Sequence, residues 1–154
     1  MKKITIIGSG NIGFSLAKGL VKSNKYKAGD ITLTRRSLSS LYIEKEQGFD
    51  VSDNNIQAIK GRDIIVLCIL PQQARKVMEQ IAPHLHPGQV FISVVSGLSC
   101  ADMREVIGTE VEIVRAMPNT AIAIGESMTC ISSDKSAGSI MQKVEDIFES
   151  VGAV

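Results

Sequence analysis

A glycine-rich loop near the N-terminus most constrains what this chain can fold into. Residues 8–13 read Gly-Ser-Gly-Asn-Ile-Gly, directly after the β-branched run at residues 4–7. They lead into a segment in which Ile12, Leu16 and Leu20 recur every four residues, which predicts an amphipathic helix. A strand, a glycine loop and a helix in this order are typical of a unit that binds the phosphates of a dinucleotide. A plain tight turn is the alternative, and the flanking strand and helix disfavour it.

Each glycine of the loop has an expected role. The first permits the tight turn from strand to helix, the second leaves the backbone open to a pyrophosphate, and the third lets the helix pack closely on the strand. The free N–H groups and the positive dipole end of the helix would attract the phosphates. The sequence therefore predicts a pyrophosphate site formed by Gly8, Ser9, Gly10, Asn11, Ile12 and Gly13.

The rest of the chain repeats the alternation of strand and helix. Apolar residues at helical spacing occupy 74–81 and 140–151, and Ser99 with Asp102 three residues later predicts a helix N-terminus. The order predicts an α/β fold, a Rossmann-type doubly wound and mostly parallel sheet with helices on both faces. We expect residues 1–154 to form one dinucleotide-binding domain. The remaining strand candidates are the β-branched runs at residues 31–34, 63–69, 90–95 and 111–114.

Composition and charge exclude several other classes of protein. Apolar residues make up 44% of the chain, charged residues 21%, and the net charge is +1 with the basic residues scattered. Neither a disordered chain nor a nucleic-acid or anionic-membrane partner is indicated. The longest apolar run, at residues 64–71, is far shorter than the roughly 18 residues that suggest a membrane span. With no signal-peptide pattern either, we expect a cytoplasmic protein with a small-molecule partner.

The cysteines and histidines do not predict a metal or disulfide site. The three cysteines, at positions 68, 100 and 130, lack paired spacing, which favours reduced thiols. His84 and His86 lie in a turn before the strand candidate at residues 90–95, at the strand end opposite the expected binding edge. No carboxylate or thiol cluster accompanies them, so we predict that no metal is bound.

The end of the second strand candidate indicates which dinucleotide is bound. In NAD-binding proteins of this fold, an acidic residue about 20 residues beyond the glycine motif binds the ribose hydroxyls. Here that place reads Thr34-Arg35-Arg36-Ser37, without a carboxylate. Cations and hydroxyls suit the 2′-phosphate of NADP, which an arginine fork can bind bidentately. We predict NADPH (NADP), held by Thr34, Arg35 and Arg36. Which arginine faces the phosphate stays open, and solvated surface charges are the alternative.

Loops at the carboxyl ends of the strands should hold the nicotinamide, because ligands of such a sheet lie outside that edge. The loops after residues 69, 95 and 115 carry small and polar groups that can line such a pocket. They contain no catalytic triad, and hydride transfer depends more on orienting donor and acceptor than on a strong acid or base. The predicted lining residues are Leu70, Pro71, Gln72, Ser96, Gly97, Met117 and Asn119.

Residues 115–128 carry a motif with a family resemblance. They read Arg-Ala-Met-Pro-Asn-Thr-Ala-Ile-Ala-Ile-Gly-Glu-Ser-Met and closely resemble the pyrroline-5-carboxylate reductases, in which an Arg-x-Met-Pro-Asn-Thr-Pro loop precedes a glycine. The glycine loop, the Pro71-Gln72 turn, residues 93–99 and residues 149–152 also resemble that family in order and spacing. The resemblance therefore covers nearly the whole chain.

The resemblance implies an oxidoreductase that uses NADPH to reduce the C=N bond of 1-pyrroline-5-carboxylate, giving proline in the last step of proline biosynthesis. It implies that Asn119 is the catalytic residue here and orients the nicotinamide. The family carries a C-terminal helical domain that forms the dimer and contacts the substrate, so we expect a homo-oligomer. That domain is absent from residues 1–154, whose last three residues read as the opening of a further strand. We expect a longer protein, and no activity from this chain alone.

Two positions depart from the family pattern. Leu70 stands where the family usually has lysine, and Ala121 stands where it has proline. A lost cation changes the electrostatic field around an anionic ligand, so the exact substrate stays open. The alternatives are a non-catalytic NADP-binding module and a reductase of a different imine or keto substrate. The oligomeric state is also left open.

Overall fold

The protein alternates strands and helices along most of its length. The computed structural model describes residues 2–135 and 137–154. Short 3-10 helices join several of the larger elements. In chain order these elements are β1 (Ile4–Ile7), α1 (Asn11–Lys22), β2 (Ile31–Thr34), α2 (Tyr42–Glu46), β3 (Asp50–Ser52), α3 (Asn55–Ile59), β4 (Ile64–Leu67), α4 (Pro71–Ile81), β5 (Val90–Ser93), α5 (Cys100–Ile107), β6 (Glu112–Met117), β7 (Ser127–Met128), β8 (Cys130–Ser132), α6 (Gly138–Phe148) and β9 (Gly152–Ala153).

The main sheet has seven strands in the order β3-β2-β1-β4-β5-β6-β8. All neighbouring pairs are parallel except β6 with β8, which is antiparallel. The chain winds outward from β1 to β3, then crosses back to place β4 on the other side of β1. This reversal opens a crevice at the carboxyl ends of β1 and β4, where ligands bind in doubly wound sheets. The predicted α/β, mostly parallel architecture is confirmed.

Two apolar clusters cover the opposite faces of this sheet, because successive side chains of a strand point to opposite sides. On one face, Ile4 and Ile6 of β1 pack with Leu16 and Leu20 of α1 and with Phe148 of α6. All five side chains are fully buried. The stripe of apolar residues that predicted the last helix therefore finds its partner in the sheet.

The second cluster lies on the other face, under α4 and α5. It joins Ile65 and Leu67 of β4 to Met78 and Ile81 of α4 and to Met103 of α5. Burying a side chain of this size contributes about 1.5–3 kcal/mol. Helices on both faces therefore fix the sheet, and with it the crevice at its carboxyl edge.

Several element boundaries differ from the sequence-based expectation. The three-residue strands β3 and β8 were not predicted, since both lie at sheet edges and carry no continuous apolar run. Strand β6 extends to Met117, so residues 115–117 belong to the strand and not to the loop after it. Strands β4 and β5 end earlier than expected, at Leu67 and Ser93.

The predicted start of α5 is confirmed. The Ser99 hydroxyl accepts the Asp102 amide at 3.1 Å, and the Asp102 carboxylate accepts the Ser99 amide at 2.9 Å. Such a capping box satisfies amides that a helix N-terminus leaves without partners. The final residues also form a strand, as expected, because β9 pairs in parallel with β7. Gly152 has φ +148°, and a Cβ there would lie 2.0 Å from the carbonyl oxygen of Ser127.

Neither a membrane-spanning helix nor a metal-binding cluster lies in the described residues. Over residues 2–135 and 137–154, every helix is too short or too polar to span a bilayer. In the same residues, His, Cys, Asp and Glu side chains form no group of three or more that could hold a metal ion.

Candidate cofactor-binding crevice

The glycine loop makes the turn from β1 to α1. At two of its positions the structure leaves room only for glycine. Gly8 has φ +100°, and a Cβ there would lie 2.3 Å from the carbonyl oxygen of Cys68. A Cβ on Gly13 would lie 2.1 Å from the carbonyl oxygen of Gly8. Both distances are far inside van der Waals contact, so β1, β4 and α1 can approach this closely only because these side chains are missing.

Gly10 differs from the other two glycines of the motif. A Cβ at this position would meet no atom within 4 Å, and its backbone angles, φ −87° and ψ −164°, are open to other residues. The protein itself therefore does not require glycine here. The missing side chain leaves open space on the crevice side of the loop, as expected where a pyrophosphate approaches the backbone.

The N-terminus of α1 presents unpaired amides to this space. The first backbone hydrogen bond of the helix runs from Phe14 N to Gly10 O at 2.9 Å. The N–H groups of residues 10–13 find no acceptor in the described part of the chain. Because a helix N-terminus also carries a positive partial charge, these amides form a site for an anion such as a phosphate.

Ser9 is directed into the protein. Its amide donates to Thr34 O at 2.9 Å, and its hydroxyl donates to Oε1 of Glu44 at 2.6 Å. Ser9 is fully buried and Glu44, on α2, is 4% exposed. Ser9, predicted as part of the pyrophosphate site, borders the crevice, but its hydroxyl is already engaged by Glu44.

The two arginines after β2 have different surroundings. Arg35 donates through Nε to Ser9 O at 2.7 Å, again to Ser9 O through Nη2, and through Nη1 to Ser40 O at 3.4 Å. Arg36 makes no hydrogen bond or salt bridge within residues 2–135 and 137–154, and it lines the crevice. Arg36 is therefore the arginine whose guanidinium is free for a ligand.

The Thr34 hydroxyl, which the sequence suggested as a ligand contact, is engaged within the protein. It is 2% exposed, and its hydroxyl donates to Oδ1 of Asn55 at 2.8 Å. Its carbonyl accepts the amides of Gly8 and Ser9 at 3.2 and 2.9 Å. Thr34 thus fixes the glycine loop to the end of β2.

A cavity of about 760 Å³ fills the crevice. Ser37, one of the hydroxyl residues that the sequence indicated after β2, lines it. Other lining residues were not predicted, and they are Ser40, Cys68, Ile69, Gln73, Val94 and Val95. Most of these could not be singled out in the sequence, because small and apolar residues at strand ends are common. The predicted residues that it brings together are Gly8, Ser9, Gly10, Asn11, Ile12, Arg35, Arg36, Leu70, Pro71 and Ser96.

A second cavity of about 540 Å³ shares Gly8, Arg35 and Arg36 with the first. It lies between the end of β2 and the exposed side of α4, and it contains the predicted residues Thr34 and Gln72. Its charged lining residues are three cations, Arg35, Arg36 and Lys76, and one carboxylate, Asp53. The excess of positive charge suits an anionic ligand. Asn55 and Lys76 are candidate ligand contacts that the sequence did not reveal.

The loops after β5 and β6 hold the remaining predicted residues. Gly97 has φ +74° in the loop after β5, and Met117 ends β6 with 37% of its surface exposed. Asn119 caps the 3-10 helix Thr120–Ile124, because its Oδ1 accepts the amide of Ala121 at 3.1 Å. Gly97, Met117, Asn119 and Gly13 lie outside the lining of the two cavities.

No activated thiol faces the crevice from β4. Desolvation by burial raises the pKa of Cys68 to about 12, so this thiol stays protonated at neutral pH. Both histidines lie before β5, at the amino ends of the strands, as predicted. The described crevice therefore suits binding and orientation of a ligand more than nucleophilic chemistry.

Comparison with known proteins decides the family. Residues 3–97 match the family described as NADP oxidoreductase, coenzyme F420-dependent. This chain belongs to that family. The match contains β1, the glycine loop, the arginines after β2 and the crevice residues that follow β4 and β5.

The resemblance to pyrroline-5-carboxylate reductases is also confirmed. Reductase 2 of Dictyostelium discoideum is 41% identical over 135 residues, which cover 86% of this chain and 45% of that protein. Reductase 1 of the same organism is 39% identical over 147 residues, covering 93% of this chain and 27% of that protein. The chain therefore spans less than half the length of these two relatives.

Solved structures give the same result. A pyrroline-5-carboxylate reductase from Coxiella burnetii superposes with a TM-score of 0.94 at 29% identity, covering 99% of this chain and 57% of that one. The Plasmodium falciparum pyrroline carboxylate reductase, solved with NADP bound, gives 0.87 at 29% identity, covering 99% of this chain and 56% of that one. The fold is thus shared over nearly the whole described chain.

Proposed function

We propose that this chain is the NADPH-binding domain of a reductase that converts 1-pyrroline-5-carboxylate to proline. The observation that carries the proposal is the crevice itself, where amides of α1 and the guanidinium of Arg36, all without a partner among the described residues, border one cavity. The resemblance of residues 115–128 and the relatives' names support the choice of substrate.

NADPH would enter with its pyrophosphate on the amides of residues 10–13. Arg36 would bind the 2′-phosphate, because its guanidinium is unpaired within the described residues and can form charge-assisted hydrogen bonds. Ser37 and Ser40 line the same cavity and offer hydroxyl groups beside it. When bound, NADPH supplies the hydride for reduction of the C=N bond.

The nicotinamide end would lie near the carboxyl ends of β4 and β5. Leu70, Pro71 and Ser96 line this part of the crevice, and the loop with Gly97 follows directly. Asn119, after β6, would orient the nicotinamide through its side-chain NH₂, since its Oδ1 is engaged in capping. Substrate contacts and assembly into a homo-oligomer would come from sequence outside the residues described here.

The test measures binding and turnover separately. Titration calorimetry of this chain should give tighter binding of NADPH than of NADH. The intact protein should consume NADPH when 1-pyrroline-5-carboxylate is added, and proline should accumulate in equal amount. NADPH binding by the intact protein without turnover of this or any related imine would refute the enzymatic proposal and support a non-catalytic binding module.

A reductase of a different imine or keto substrate is the second candidate, and Leu70 favours it. This side chain is 57% exposed at the crevice, where the resembled family usually carries a lysine. An apolar group there offers no attraction to a substrate carboxylate. Parallel assays with uncharged cyclic imines would decide between the two, because a higher kcat/KM for an uncharged imine would displace 1-pyrroline-5-carboxylate as the substrate.

A further inference from the structure

We propose that Arg35 and Glu44 form a brace on Ser9 that holds the glycine loop in the shape that receives a dinucleotide. Arg35 is then a positioning residue for both NADPH and NADH, whereas Arg36 is the arginine that discriminates between them. The inference rests on the proposed binding of a dinucleotide in this crevice, and it assigns separate tasks to two neighbouring arginines.

The brace engages every polar group of Ser9. The amide is held by Thr34 O at 2.9 Å, the hydroxyl by Glu44 at 2.6 Å, and the carbonyl by two N–H groups of Arg35. Ser9 therefore has no polar group left for a ligand. Its position in the middle of the turn means that these contacts determine where the next residue, Gly10, starts the helix.

Glu44 is an unusual residue to find in this place. Its carboxylate is almost completely buried beside a loop that would bind two phosphates, where an isolated negative charge would be unfavourable. The Ser9 hydroxyl supplies a hydrogen bond to this carboxylate, and Arg35 donates to the carbonyl of the same serine. The carboxylate and the guanidinium thus bind different polar groups of one residue.

Arg35 and Arg36 are adjacent in the chain but differ in what they can offer. Arg35 commits Nε, Nη1 and Nη2 to backbone carbonyls of Ser9 and Ser40, which ties the glycine loop to the segment after β2. Arg36 has no such commitment within the described residues and lines both cavities. Neutralising each arginine separately should therefore have different consequences.

The experiment compares Arg35→Gln with Arg36→Gln in the intact protein by calorimetric titration with NADPH and with NADH. Arg36→Gln should weaken NADPH by about tenfold or more and leave NADH within about twofold, because a charge-assisted hydrogen bond is lost with only one ligand. Arg35→Gln should weaken both dinucleotides by a similar factor, about three- to tenfold. Selective loss of NADPH in Arg35→Gln would overturn the assignment.

Glu44 provides a matched pair of variants. Glu44→Gln keeps an oxygen that can accept the Ser9 hydroxyl, whereas Glu44→Leu removes it. We expect Glu44→Leu to weaken both dinucleotides in parallel and Glu44→Gln to restore most of the affinity. Equal affinities for the wild type and Glu44→Leu would refute the brace.

Hydrogen–deuterium exchange without any cofactor tests the brace independently of the proposed function. The amides of Gly8 and Ser9 are hydrogen-bonded to Thr34 O, so a loosened loop should exchange them faster. Faster exchange is expected in Arg35→Gln and Glu44→Leu but not in Arg36→Gln. Wild-type protein that binds neither dinucleotide would refute the proposed function. Unchanged exchange in all three variants would refute the brace.

Discussion

Replacing Gly10 with alanine should strongly weaken cofactor binding without harming the fold, whereas the same change at Gly13 should destabilise the fold itself. A Cβ on Gly10 meets no protein atom within 4 Å, and its backbone angles suit alanine. Replacing a glycine at a compatible position stabilises a protein by about 0.4–1 kcal/mol through the unfolded state. The unfolding free energy of Gly10→Ala should therefore be unchanged or slightly increased.

The cost of Gly10→Ala should fall on the ligand. Gly10 lines the crevice, and an added methyl group there would occupy space that is open in the protein. We expect it to keep the pyrophosphate away from the amides of residues 10–13. Losing two hydrogen bonds to a charged group, at about 1.5 kcal/mol each, corresponds to a weakening of roughly a hundredfold or more. Titration calorimetry with NADPH measures this loss, and thermal unfolding measures stability.

Gly13→Ala gives the contrasting result. Its Cβ would lie 2.1 Å from Gly8 O, about 1.2 Å inside an ordinary contact of roughly 3.3 Å. The clashing oxygen belongs to the backbone and cannot rotate away, so α1 must shift. Overpacking of this kind costs about 1–3 kcal/mol. Gly29→Ala is the control, because Gly29 also has nothing within 4 Å but lies outside both cavities. The reasoning would be refuted by normal NADPH affinity in Gly10→Ala, or by wild-type stability in Gly13→Ala.

Further predictions concern stability and thiol chemistry. Ser99→Ala should destabilise the protein by about 1 kcal/mol in urea unfolding, since it removes the cap of α5. Hydrogen bonds from the Ser99 hydroxyl and amide lower the pKa of Asp102. The stability due to Asp102 should thus be complete above its unfolded pKa, about 3.9, and disappear as pH falls through the lower folded value. An Asp102→Asn variant with the wild-type pH profile below pH ~4 would contradict this. Cys68, whose pKa is raised to about 12 by burial, should resist iodoacetamide at neutral pH while the exposed Cys130 reacts, as peptide mass mapping would show. Gly152→Ala should separate β9 from β7, because its Cβ would lie 2.0 Å from Ser127 O. The amide of Thr129 donates to Ala153 O, so its hydrogen exchange should become faster in this variant.

The parts of the structure that could be predicted from the sequence depend on local signals. The glycine loop and the capping box at Ser99 are each encoded within six residues, and both form as expected. The buried strands β1, β4 and β5 are rich in apolar residues, and each has three or four of them in four positions. Strands β3 and β8 lack such runs, because each lies at an edge of the sheet, where one side of the strand is unpaired and partly exposed.

The site was predicted less completely, because its details depend on contacts between distant segments. Nothing near Ser9 in the chain indicates that its hydroxyl will meet Glu44, 35 residues later. Thr34 and Arg35 are neighbours at the end of β2, yet one side chain turns to Asn55 while the other reaches back to Ser9. A motif states which residue types surround a ligand, whereas the packing of α2 and α3 decides which of them face it.

The link between Thr34 and the glycine loop limits how coenzyme preference can be engineered in this protein. The carbonyl of Thr34 holds the amides of Gly8 and Ser9, and the next residue, Arg35, holds the Ser9 carbonyl. Replacing residues 34–36 together to favour NADH would therefore disturb the glycine loop, on which the proposed binding of either coenzyme depends. A change confined to Arg36 and Ser37 alters the ribose end of the crevice and leaves this connection intact. Directed evolution toward NADH should accordingly accumulate substitutions at positions 36 and 37 while keeping Arg35.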